Sequence, residues 1–199
     1  MKLSSLIMLL VLVSCSSKTV TQNNIPTESV IQRIDELSSR PSWLTESEPF
    51  KIESGKVLSL GQTTIPADHR VDAAYRIAEN NAKASISSAI EQRLDFIFQN
   101  AEEGTSMDST QARFIGAEAS KITTSSLKLK NRYWEKVYSV DENGKAKTTY
   151  KVFATVAMEE PEFKQAIMEA IRKAQGKGGL SKDFAEKVDN HWDKFSKGE

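Results

Sequence analysis

The sequence predicts an α+β fold: a small antiparallel sheet, made from one strand and a C-terminal hairpin, with a long Ala-rich helix and further helices packed on one face. Three observations point there. An apolar stripe at helical spacing runs from Asp68 to about Ala101, the apolar period changes to two at Leu127, and Asp141-Glu142-Asn143-Gly144 divides the period-two region. The composition suits one core-bearing domain: 199 residues carry 27 Lys+Arg, 27 Asp+Glu, 39% hydrophobic residues and one Cys. That balance excludes disordered, collagen-like and disulfide-stapled classes. Equal numbers of acids and bases also argue against nucleic acid, whose phosphates call for a surplus of Lys and Arg.

The amino terminus reads as an address, residues 1–14. Lys2 precedes an unbroken apolar run of eight residues, Leu6 to Val13, shorter than the ~20 needed to cross a bilayer and suited to a signal peptide. A lone Cys cannot form an internal disulfide, and a free thiol would be odd in an exported protein. Leu12-Val13-Ser14-Cys15 resembles the lipobox of bacterial lipoproteins. That resemblance implies a diacylglyceryl group on the Cys15 sulfur, cleavage before it and further acylation, so that two or three chains anchor durably where one holds marginally. Ser16 rather than Asp follows the cysteine, which by the same resemblance favours the outer membrane.

Residues 15–40 are expected to form a lipidated tether and a short amphipathic helix on Val30, Ile31, Ile34 and Leu37, stopped by Arg40-Pro41. Residues 41–175 form the α+β domain. Trp43 and Leu44 dock on it, and Gly55 to Ile65 is a strand bounded by Gly55 and Pro66. Asp68 is placed as N-cap of the long helix, whose stripe comprises Val71, Tyr75, Ala78, Ala82, Ile86, Ala89, Ile90, Leu94, Ile97 and Phe98. Its alanines favour helix and permit close approach to a flat sheet. Glu102-Glu103-Gly104 ends it, and a second helix begins near Asp108 or Ser109 with Phe114, Ile115, Ala119 and Ile122 buried. In the hairpin, Leu127, Leu129, Tyr133 and Val137 are matched by Ala146, Thr148, Tyr150, Val152, Ala154, Val156 and Met158. Glu159-Glu160-Pro161 opens a further helix with carboxylates at the positive end of its dipole, and Phe163, Ile167, Ala170, Ile171 and Ala174 form its stripe. Residues 176–199 are a Gly-rich hinge and a C-terminal amphipathic helix capped by Ser181.

Pro41-Ser42-Trp43-Leu44, Ala73-Ala74-Tyr75-Arg76-Ile77-Ala78-Glu79-Asn80-Asn81-Ala82, Tyr133-Trp134-Glu135-Lys136-Val137-Tyr138 and Tyr150-Lys151-Val152-Phe153-Ala154-Thr155-Val156 resemble the lipoprotein-twenty-like (Lpp-twenty) family of outer-membrane lipoproteins. The same stretch, Pro41 to Ala174, is similar to the N-terminal domain of flagellar assembly protein T. The resemblance implies helices on one face of a small antiparallel sheet and brings no catalytic residues.

Reaction signatures are lacking. The sequence holds two histidines, His69 and His191, near opposite ends of the folded region, too few for a zinc site that gathers about three or four ligands. Neither G-x-S-x-G nor a P-loop pattern occurs. Gly176-Lys177-Gly178-Gly179 follows a helix instead of a strand and reads as a hinge. The expectation is a non-enzyme without cofactor or metal.

Two surfaces are candidates for binding. If the apolar parity of the hairpin faces the helices, the other face presents Lys128, Lys130, Arg132, Trp134, Lys136 and Tyr138 beside Lys145, Lys147 and Lys151. Such a face either docks an anionic envelope polymer or an acidic envelope protein, or is a solvated face whose lysines protect an edge. Phe184, Val188, Trp192 and Phe195 either pack on the domain or are offered on the hinge to a partner groove or a second protomer. The functional expectation is an anchored interaction or assembly module of the envelope, associated with a flagellum or with peptidoglycan, with homo-oligomers allowed. The rival is a periplasmic small-molecule or glycan-binding lipoprotein with its pocket between the long helix and the sheet.

Overall fold

The computed structural model describes residues 28–45, 48–100, 109–141, 143–177, 180 and 183–197. Cys15 and its leader, the Glu102-Glu103-Gly104 stop and the Ser181 cap lie outside them. The fold is α+β, around a five-stranded antiparallel sheet of order β1-β4-β5-β3-β2. The strands are β1 (Glu28–Arg33), β2 (Phe50–Glu53), β3 (Lys56–Pro66), β4 (Lys128–Val140) and β5 (Ala146–Glu159). The helices are α1 (Ser42–Thr45), α2 (Val71–Asn100), α3 (Ser109–Thr123), α4 (Glu160–Gln175), α5 (Phe184–Asn190) and α6 (Trp192–Lys197).

The alanine stripe explains how α2 sits. Ala74, Ala78 and Ala82 are fully buried against β3 and β5, and they meet a strand residue with no side chain at all. A Cβ built on Gly61 would stand 2.0 Å from the Ala78 carbonyl oxygen and 2.3 Å from the Ala82 nitrogen. Helix and strand backbones are therefore in direct contact, and glycine is required by space. The Ser59 hydroxyl, 2.7 Å from the Ala82 carbonyl, and the Asn81 amide, donating to the Gln62 carbonyl at 2.8 Å, pin the same seam. Around Gly61 the seam is closed. Beyond Ala82 the stripe enlarges to Ile86, Ile90 and Leu94, which build the main core with Ile115 and Ala119 of α3 and Phe163, Ile167 and Ile171 of α4.

Several expectations are corrected. Residues 28–33 are a strand, not a helix: Val30 and Ile31 are β-branched, and β4 offers the segment an edge to pair with, Val30 opposite Val137. Only Ile34–Glu36 turns, as a 3-10 helix. The strand at 56–66 has a partner that alternation did not reveal, β2, joined through Ser54-Gly55, both at positive φ (52° and 71°) as a tight hairpin turn demands. Helix α2 begins at Val71, and the Asp68 carboxylate meets the neighbouring His69 ring at 2.9 Å instead of capping it. The C-terminal segment is broken at His191 into α5 and α6. Phe184, Val188, Trp192 and Phe195 all lie in the main core. They are structural side chains rather than a partner helix, and the folded unit therefore extends on both sides of the boundaries drawn at residues 41 and 175.

Candidate functional site

One residue rearranges the hairpin face. In β4, Leu129 pairs with Val156 but Asn131 pairs with Thr155, so Lys130 is an extra residue, a bulge. A bulge shifts every later side chain to the other side of the sheet. Leu129 shares the helix side with Val156, whereas Tyr133 and Val137 turn to the opposite side, and Arg132, Trp134, Lys136 and Tyr138 turn toward the helices. The nine residues expected on one basic face are thus divided. Lys128, opposite Ala157, and Lys151 and Lys147, opposite Glu135 and Ser139, belong by register to the side away from α2, while Lys145 belongs to the turn.

Arg132, Trp134, Lys136 and Tyr138 are only partly covered by the helix, because α2 runs mainly over β3 and β5 and touches β4 at its margin. They form a ledge of alternating cations and rings. The Arg132 guanidinium lies 5.1 Å from the centre of the Tyr75 ring, Trp134 meets Tyr150 edge-on at 5.2 Å, and the Lys136 ammonium stands 5.7 Å from Tyr150. Tyr138 is 38% exposed. Burial pushes the Tyr75 hydroxyl above its usual range, with the Arg132 charge opposing, so Tyr75 remains a neutral phenol at neutral pH. Tyr75 and Tyr150 entered the sequence reading only as core residues; their role on the ledge required knowing which side of β4 faces α2.

The opposite side of the sheet is crossed by residues 34–45. Leu44 packs on Tyr133 and Phe153, and Arg40 donates from Nε to Glu135 Oε2 at 3.0 Å and from a second guanidinium nitrogen to Oε1. The Tyr133 hydroxyl donates to the same carboxylate at 3.1 Å. Burial alone would raise the Glu135 pKa, but the Arg40 hydrogen bond and charge, helped by Tyr133, outweigh it and hold the carboxyl below its ordinary range. A signal existed: Glu135 is the single charge in the apolar parity Tyr133, Glu135, Val137.

The clefts among the described residues include two beside the start of β4. One, of 230 Å³, lies between Trp43, Lys51, Leu58, Lys130 and Asn131; the other, of 440 Å³, between Lys56, Ser125, Lys128, Glu159 and Glu162. Lysines and glutamates share both linings, so neither concentrates one sign of charge. Lys151 forms an ion pair with Glu28 at 2.6 Å. Among the described residues no group of three or more His, Cys, Asp and Glu could hold a metal. His69 and His191 are exposed and bonded locally, to Asp68 and to the Lys187 carbonyl. No helix among the described residues is long and apolar enough to cross a membrane. No protein-family model matches the chain, and neither a curated protein nor a solved structure does.

Proposed function

We propose that the chain is a non-enzymatic lipoprotein of the bacterial outer membrane, a member of the lipoprotein-twenty-like group, anchored through acyl chains on Cys15. Its folded part is an interaction module for the cell envelope. The observation that carries the module reading is the ledge: two cations interleaved with Tyr75, Trp134, Tyr138 and Tyr150 at the margin of the sheet that α2 covers only in part. Ring faces suit the C–H faces of sugars, and Arg and Lys suit the phosphates or carboxylates those sugars carry in envelope polymers. An anionic glycan is the partner this combination fits. The apolar sequence ending in Leu12-Val13-Ser14-Cys15 supports the anchor.

The divided hairpin supplies an internal control. Arg132→Glu with Lys136→Glu should abolish co-sedimentation of the full chain with purified lipopolysaccharide and peptidoglycan, whereas Lys128→Glu with Lys130→Glu, the same charge change away from the ledge, should leave it intact. Equal loss in both pairs, or in neither, would remove the ledge from the mechanism. Intact-mass measurement of protein from a lipoprotein-processing host, finding acyl chains on Cys15 or a free thiol, decides the anchor separately.

A further inference from the structure

The outer edge of β1 is unpaired among the described residues, and half of its backbone N–H and C=O groups point away from β4. Edges of this kind attract strands, and the sequence of this one, Glu28-Ser29-Val30-Ile31-Gln32-Arg33, reads symmetrically in chemical type: acid, polar, apolar, apolar, polar, base. An antiparallel copy would set Glu28 against Arg33, Ser29 against Gln32, and Val30 against Ile31.

Such pairing works only if opposed residues share a face, which two residues of opposite parity in a regular strand cannot do across a two-fold axis normal to the sheet. The bulge in β1 removes this obstacle. Val30 pairs with Val137 and Gln32 with Lys136, so Ile31 is the extra residue. Glu28, opposite Ser139, and Arg33, opposite Glu135, therefore both belong to the side away from α2, while Ser29 and Gln32, opposite Tyr138 and Lys136, both belong to the helix side. Ile31, beside the centre of this register, is 56% exposed, the most exposed large apolar side chain among the described residues. We infer that β1 pairs with β1 of a second copy of this chain, antiparallel and about a two-fold axis midway between Val30 and Ile31, joining two sheets into one. Each Glu28 then faces Arg33 of the partner subunit, and the pairing is isologous as closed dimers require. The inference does not depend on the glycan ledge.

A photo-crosslinking amino acid at Ile31 of the full chain, produced in a bacterial host and irradiated in its membranes, should give a product of twice the chain mass. Glu28→Arg places Arg against Arg, and Arg33→Glu places Glu against Glu, so each variant alone should lose that product. Mixed in one membrane, the two variants should regain it. The arginine introduced in one chain then faces the glutamate introduced in the other, and the unaltered Arg33 of the first faces the unaltered Glu28 of the second. Thermal melts of both variants show whether each is folded, and regain on mixing cannot arise from misfolded chains. A wild-type chain that yields no dimeric product, one whose product is indifferent to either charge reversal, a mixture that fails to regain it, or a product containing a different protein would each overturn the inference.

Discussion

The two edges of the sheet differ in how far they are covered. At the β2 edge the strand is four residues long and α6 packs beside it, with Phe50, Phe163, Trp192 and Phe195 in a chain of ring contacts 4.8–6.3 Å apart. Arg93 lies 4.6 Å from the centre of the Phe50 ring and donates to the Phe195 carbonyl at 2.6 Å, and burial lowers its pKa. The Trp192 indole donates to Glu160 at 2.7 Å. At the β1 edge there is no comparable cluster. The N-terminal segment is held by Leu44 and by the Arg40–Glu135 ion pair, and Ile31 faces solvent. Aromatic packing is concentrated at the β2 edge, whereas the β1 edge leaves Ile31 exposed.

Ending the chain after Gln175 should break the contrast outright. It removes four buried side chains, each worth about 2–5 kcal/mol when truncated, against a total stability of about 5–15 kcal/mol for a domain. The expected outcome is loss of cooperative thermal unfolding by circular dichroism; a truncated chain that still melts cooperatively near the parent temperature would show the C-terminal helices to be accessory.

On the β1 side the effects are smaller. Glu135→Gln leaves the shape but halves the acceptor capacity for Arg40, and should cost about 1–3 kcal/mol in denaturant melts at neutral pH. Because the folded-state pKa of Glu135 lies below the ordinary value, its contribution is fully present above about pH 4.3, the unfolded glutamate value, and disappears as pH falls through the folded one. The gap between wild type and variant should therefore narrow in acid, and a gap of the same size at pH 3 and pH 7 would contradict the ion-pair account. Ile31→Ser, on the open edge, should change monomer stability by no more than about 0.5 kcal/mol. A larger loss would mean that Ile31 contributes to the core of its own chain.

Local patterns made much of this legible. The alanine stripe of α2, the stripe of α4 and the Asp141 to Gly144 turn depend on near neighbours, and they appear where the pattern puts them. The ledge was half legible: its four β4 residues were singled out, but grouped with lysines that belong elsewhere. Alternation assigns parity, and parity becomes a face only if no residue is inserted.

Sequence by itself determined the α+β class, the order of the main elements and the apolar content of each, since these follow from periodicity within a few turns or a single strand. Tertiary structure decided three other matters: that residues 28–33 extend along β4 instead of coiling, that the C-terminal aromatics turn inward, and which side of the sheet each hairpin lysine occupies. Each of these depends on a partner distant in the chain or on the one-residue bulges at Ile31 and Lys130, and a bulge exists only through the register of two paired strands.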